Sequence, residues 1–316
     1  MNNLHRSILL IAIIGALIVC ACSRQSGREM SDRSGRSFVI SGPLNRIVST
    51  APSNTEIIAD LGMAHKLVAI DRHSANVKAP EGYPEIPGDI LLIDFFFPDA
   101  EVLIALQPDI IIASGHNATG SGDDPFKLLR DMGIPVVYIS MSRSIDDIYD
   151  DIAFIADLLQ IHEKGNKVIS SMKEQIQNII EALPHSSSPP PSLYFEISPA
   201  PDMITFGRDS FIDSMISALG AVNIFAHDNW IVNPQAEAII ERNPDIILTN
   251  VTFIDDPIGE IKRRPGFEHI NAVIHNRVYQ IDTDSSVRPS PRIILALRQM
   301  AEAIYPEVGT DAQQYE

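Results

Sequence analysis

One segment of this chain occurs twice. AEVLIALQPDIIIAS, residues 100–114, returns as AEAIIERNPDIILTN, residues 236–250, with Ala, Glu, Ile, Pro, Asp, Ile and Ile at matching places. Each copy reads as a short helix, a Pro-Asp turn that stops it, and an isoleucine-rich strand. A helix and a further strand follow each copy, IPVVYIS at 134–140 and NRVYQID at 276–282. A repeat at so large an offset implies two similar lobes and not a short-period solenoid.

Between the two copies lies IHEKGNKVISSMKEQIQNIIEAL, residues 161–183. Its apolar residues Ile161, Val168, Met172, Ile176, Ile179, Ile180 and Leu183 recur mostly at three- and four-residue steps, with Lys, Glu, Gln and Asn opposite, which is the pattern of an amphipathic helix. At about 1.5 Å per residue it spans roughly 33 Å, enough to reach from one lobe to the other. HSSSPPP, residues 185–191, then stops it. The expected fold class is therefore α/β, with two similar α/β lobes joined by a single long α-helix and a ligand cleft between the lobes.

The amino terminus stands apart from this plan. His5 and Arg6 precede SILLIAIIGALIVCAC, an apolar run too short for a membrane span and ending in small residues, as an export signal does. Val19-Cys20-Ala21-Cys22 is similar to the lipobox of bacterial lipoproteins, with Cys22 after Ala21 the better fit for lipidation. Processing there removes Cys20 and acylates Cys22, leaving no thiol for a disulfide, a nucleophile or a thiolate metal site. Two or more acyl chains, at about 0.8 kcal/mol per buried methylene, hold a protein stably on a membrane. The organisation read from the chain is a signal peptide at 1–21, a flexible tether at 22–37, an N-terminal lobe at 38–143, a helical connection at 144–184 and a C-terminal lobe at 192–316. The formal charge of -17 excludes nucleic acid as a partner, since phosphate binding needs basic patches.

Within the first lobe, RIVST at 46–50 is the first buried strand and leads into APSNTEIIADLG, where Ser53 and Glu56 have the spacing of a capping box. A helix that starts at a strand's carboxyl end borders the ligand crevice of an open α/β sheet. KLVAID at 66–71 ends at Arg72 and His73. Phe95, Phe96 and Phe97 cannot all enter one core from a regular element, so at least one is expected at a pocket or rim. A glycine-rich loop carries His116 and Asn117, and in the second lobe Asp209 or Ser210 is expected to cap a helix running to Gly220. No G-x-S-x-G, H-E-x-x-H, P-loop or G-x-G-x-x-G pattern is present, which argues against an enzyme.

RIVSTAPSNTEIIADLG, the two repeat copies, ITFGRDSFIDSMISALGAVNIF, RVYQID and RPSPRIILAL occur in the order and spacing of the periplasmic binding proteins that deliver ferric siderophores, haem and cobalamin to ABC importers. The chain resembles that family over nearly its whole mature length. The resemblance implies an exported, lipid-anchored, monomeric binding protein of the cell envelope, partnered by an ABC permease dimer and its ATPase. It carries no resident cofactor, and its cargo is an iron chelate or a corrinoid. Glu101 and Glu237, one in each repeat copy, match the family's permease-docking glutamates. The candidate ligand-binding residues are Pro52, Ser53, Asn54, Arg72, His73, Phe95, His116, Asn117, Arg208, Trp230, Asn250 and Arg288. The arginines suit carboxylate or hydroxamate oxygens and the aromatics suit planar or apolar parts; Phe95 and Trp230 lie near aromatic positions of the cobalamin-binding members. The absence of a paired flexible hinge implies small lobe movements. Two alternatives stay open: a bare zinc or manganese site drawn from His73, His116, His227 and Asp284, and a surface hydrolase or adhesin on the same scaffold.

Overall fold

The computed structural model describes residues 27–75, 86, 88–115, 126–184 and 189–307. The first lobe is built on five parallel strands, β3 (Ile47–Ser49), β4 (Leu67–Asp71), β5 (Leu91–Ile93), β6 (Ile110–Ser114) and β7 (Val136–Ile139), in the order β5-β4-β3-β6-β7. Its helices are α1 (Pro52–Asp60), α2 (Arg72–Ala75), α3 (Ala100–Ala105), α4 (Lys127–Asp131) and α5 (Ile145–Leu158). Parallel strands covered on both faces read as continuous apolar runs, and β6 is buried at every residue. Ile110 and Ile112 point into one core layer, Ile111 and Ala113 into the opposite one, as the two-residue period of a strand requires.

The second lobe repeats the scheme with β8 (Ser192–Glu196), β10 (Val222–Asn223), β12 (Ile246–Thr249) and β13 (Val278–Gln280), all parallel in the order β10-β8-β12-β13. A separate two-stranded ribbon pairs β9 (Thr205–Phe206) with β11 (Ile231–Val232). The helices are α7 (Phe211–Ala218), α8 (Ala236–Arg242), α9 (Pro257–Lys262), α10 (Asn271–Ile274), α11 (Thr283–Val287) and α12 (Ile293–Ile304). The repeated segment is thus α3 leading to β6 in one lobe and α8 leading to β12 in the other. Ser210 caps α7 by accepting from the Asp213 amide.

The connecting helix is α6, His162–Glu181, with Ile161 and Ala182 as its end residues. Only Gly165, Met172, Ile176 and Ile179 are buried along its 20 residues, the narrow apolar stripe expected of an amphipathic helix. It packs against α5 on one side and α12 on the other. One hydrophobic layer runs without a break from β3 and β6 through α1, α5 and α6 to β8, β12 and α12, so a shared core joins the lobes. No helix among the described residues is long and apolar enough to cross a membrane.

Two expectations need correction. The segment assigned to a tether is folded from residue 28: β1 (Arg28–Ser31) pairs antiparallel with β2 (Ser37–Ile40). Asp32 secures the turn, Oδ1 accepting from the Ser34 and Arg36 amides at 2.9 Å and Oδ2 from the Tyr138 amide at 3.0 Å. Arg28 donates to the carbonyls of Asp157 and Leu158 at the end of α5. These anchors are polar and distant in sequence, so the segment's composition resembles that of a linker. The Ser53–Glu56 capping box is also absent. Pro52 begins α1 with Ala51 as N-cap, and Glu56 falls on the buried face.

Candidate ligand-binding cleft

A cavity of about 510 Å³ lies between the lobes, where the carboxyl ends of the first sheet face the ribbon and α11 of the second lobe. The first lobe contributes Pro52, Ser53 and Asn54 from the first turn of α1, His73 from α2, Phe95 and Phe96, Ser114, and Ser140 to Ser142 after β7. Asp71, buried at the end of β4, accepts from the His73 amide at 2.9 Å and from the Ser74 amide and hydroxyl, which turns the chain and presents His73 to the cavity. Burial raises the Asp71 carboxyl above its ordinary range, against these hydrogen bonds. The three phenylalanines fan out because Asp94 accepts from the amides of both Phe96 and Phe97. Phe95 and Phe96 stack edge to face at 4.6 Å and line the cavity, and Phe97 is left 84% exposed.

The opposing wall comes from Phe206, Ser210, Phe211, Trp230, Ile231, Thr283, Asp284 and Val287 to Pro289. Trp230 adopts φ +50°, a left-handed conformation that side chains other than glycine rarely take, and meets Phe206 edge to face at 5.9 Å. Gly207 makes this turn possible: a Cβ there would fall 2.1 Å from the Asp228 carbonyl oxygen. The backbone amide of Gly207 donates to the Trp230 carbonyl at 2.7 Å.

Arg288 is the cationic side chain among the described lining residues, and it bridges the lobes. It donates to Glu56 Oε1 of α1 at 2.9 Å, pairs with Asp284 Oδ1 at 2.6 Å, and reaches the His73 carbonyl at 3.2 Å. Glu56 is fully buried, accepts from the Ser290 hydroxyl at 2.6 Å and lies 3.7 Å from Arg292. Burial raises the Glu56 carboxyl, while Arg292 and Arg288 pull it down. One turn along α1, burial pushes Asp60 up to about 7, with Arg292 lowering it and Glu56 raising it.

Of the residues expected at the ligand, Pro52, Ser53, Asn54, His73, Phe95, Trp230 and Arg288 meet at this cavity. Arg72, Arg208 and Asn250 do not line it. Arg72 is exposed beside His73, and exposed Arg208 donates to the Asn229 side chain. Asn250 is buried as a brace, its amide donating to Ser286 Oγ at 3.0 Å and its carbonyl accepting from Thr283 Oγ1 at 2.6 Å. His116 and Asn117 lie outside the described residues. The loop at Ser140 to Ser142 follows the carboxyl end of β7, so the rule that picked out the ends of β3 and β4 could have found it. Phe206 gave no such signal, because its ribbon is not part of the main sheet.

Among the described residues no group of three or more His, Cys, Asp or Glu is placed to hold a metal ion. His73 and Asp284 line the cavity and His227 does not. Glu101 and Glu237 are exposed in the first turns of the equivalent helices α3 and α8.

Two α/β lobes, a single bridging helix and an aromatic cleft between them define a two-lobed binding protein. The chain belongs to the periplasmic binding protein family, whose profile matches residues 47–285. These are binding proteins and not enzymes. The chain is 32% identical over 279 residues to the Bacillus subtilis uncharacterized ABC transporter substrate-binding lipoprotein YvrC, covering 88% of this chain and 85% of that one. It is 28% identical over 263 residues to the vitamin B12-binding protein of Vibrio cholerae, covering 82% and 88%. The solved structure of a possible iron-binding periplasmic solute-binding protein from Staphylococcus epidermidis superposes with a TM-score of 0.72 at 31% identity, covering 84% of this chain and all of that one.

Proposed function

We propose that the protein is the lipid-anchored substrate-binding component of an ABC importer, that it captures a metal chelate of the siderophore, haem or cobalamin type between its lobes, and that it hands this cargo to a permease dimer. The observation that carries the reading is the cleft itself: Phe95 and Phe96 on one wall and Phe206 and Trp230 on the other face a cavity of about 510 Å³. Opposed aromatics grip a bulky ligand with planar or apolar faces, and the volume falls within the range of small-molecule sites, about 300–1,000 Å³. The relatives named as a transporter lipoprotein and as a vitamin B12-binding protein support the same assignment.

In this reading Glu101 and Glu237 dock onto the permease, one from each lobe, and Cys22 carries the lipid. Exposed ion pairs contribute about 0–1 kcal/mol each, so two of them set orientation more than affinity. Calorimetric titration of the lipid-free mature chain with a panel of ferric siderophores, haem, cyanocobalamin, zinc and manganese tests the assignment. Saturable binding of one chelate at micromolar or lower concentration is expected. Response to the bare ions alone would overturn it.

A further inference from the structure

Arg33 sits in the turn of the β1–β2 hairpin and does not line the cavity, yet its contacts lead into the cleft wall. The turn docks on β7, the edge strand of the first sheet. The Arg33 amide donates to the Tyr138 carbonyl at 3.1 Å, and Asp32 accepts from the Tyr138 amide. The chain leaving β7 runs through Ser140, Met141 and Ser142, all three of which line the cavity. This run is held at both ends. The Ser140 hydroxyl donates to the Arg33 carbonyl at 2.7 Å, and the Ser142 hydroxyl donates to Asp151 Oδ2 at 2.9 Å. Arg33 Nε in turn donates to Asp151 Oδ1 at 2.8 Å, so one carboxylate of α5 is shared between the hairpin and the cleft wall.

The carboxylate depends on both partners. Asp151 is 1% exposed; burial pushes it up to about 6, and the hydrogen bonds from Arg33 and Ser142 hold it from rising further. The other charges facing Arg33 are Asp150 at 3.4 Å and Asp147 at 3.7 Å, and Asp147 raises Asp151 too. Without Arg33 the buried carboxyl is left with neighbours that favour its protonated form, which no longer accepts from Ser142 as the carboxylate does. The run is also packed from within its own lobe: a Cβ on Gly115 would fall 3.0 Å from the Met141 amide nitrogen. A wall gripped by two hydroxyls and backed by a glycine is already ordered when ligand arrives, and that order favours affinity.

Resting on the chelate-binding reading of this cleft, we infer that Arg33 is a positioning residue of the binding site. Through Asp151 and Ser142 it fixes the Ser140–Ser142 wall in its binding form, so the hairpin that follows Cys22 belongs to the binding machinery and is no mere spacer. Arg28 provides the control. It anchors the same hairpin at the carboxyl end of α5, on the carbonyls of Asp157 and Leu158.

The test compares the lipid-free mature chain with Arg33→Ala and Arg28→Ala. In hydrogen exchange of the free proteins, amides of the 139–143 segment are expected to exchange at least about tenfold faster in Arg33→Ala and at the parent rate in Arg28→Ala. In calorimetry with haem, cyanocobalamin and the ferric siderophores of the panel above, Arg33→Ala is expected to lose at least about tenfold in affinity for the chelate that the parent binds, and Arg28→Ala to keep it. Asp151→Asn, of the same size, is expected to show the same loss and carries the test if Arg33→Ala does not fold. Unchanged exchange would overturn the brace. Faster exchange with unchanged affinity, or an equal loss in Arg28→Ala, would overturn the positioning role and leave the chelate reading standing, whereas silence of the parent across the panel would remove both.

Discussion

Glu56 has the greatest reach of any single residue in this protein. It leaves the first lobe from α1 and receives Arg288 and Ser290 from the second, a contact across 232 residues of sequence. Breaking a buried ion pair at one partner leaves the other uncompensated, at about 3–5 kcal/mol. Glu56→Ala is expected to lose stability on that scale in chemical denaturation. Its neighbour Asp60 titrates near 7, chiefly through burial, with Arg292 lowering and Glu56 raising the value, and its Oδ2 has no hydrogen-bond partner. The folded chain therefore holds this proton more tightly than the unfolded chain does, and stability is lost as pH rises from the ordinary aspartate range through about 7. Asp60→Asn should melt higher than the parent at about pH 8, with the gap closing toward about pH 4, where both side chains are neutral. A gap that does not change with pH would refute the assignment. None of this was legible in the sequence. Ser53 and Glu56 have capping-box spacing, and only the placement of Pro52 at the first helical position turns Glu56 inward. Likewise Arg288, which reads as a ligand contact beside a helix start, has its charge taken by two acids of which one is remote.

At the scale of elements the sequence was far more informative, because periodicity is local. The repeated helix and strand, the capping Ser210, and the long helix at 161–183 all stand within a residue or two of where the pattern puts them. What the pattern leaves out is how closely elements approach. α5 and α6 cross where a Cβ on Gly165 would lie 2.5 Å from the Ala156 Cβ. Gly165→Ala gains about 1 kcal/mol of helix propensity and is charged about 1–3 kcal/mol for overpacking, so a net loss of about 1 kcal/mol is expected by thermal denaturation. The β1–β2 hairpin is silent in the sequence for a related reason: Asp32 and Arg28 make its contacts, and polar contacts leave no periodic trace.

The whole molecule is two copies of one α/β plan fused through a common core, with the buried Glu56–Arg288 pair as a second tie beside α6. In the proposed docking, this body presents one glutamate from each lobe to the permease. Glu101 and Glu237 occupy matching first turns of α3 and α8, so their spacing is set by the fold and not by flexible side chains. Replacing both with Lys is expected to spare chelate binding by the purified protein and to abolish uptake by cells. Unchanged uptake would contradict the docking role. Trp230, the only tryptophan in the chain, lines the cavity and reports directly on a ligand seated between the lobes against aromatics from both. The decisive measurement is its fluorescence during titration with the chelate that calorimetry identifies. We expect saturable quenching with the calorimetric affinity and stoichiometry; a chelate that binds by calorimetry while Trp230 emission stays unchanged would place the ligand outside the cleft and contradict the account.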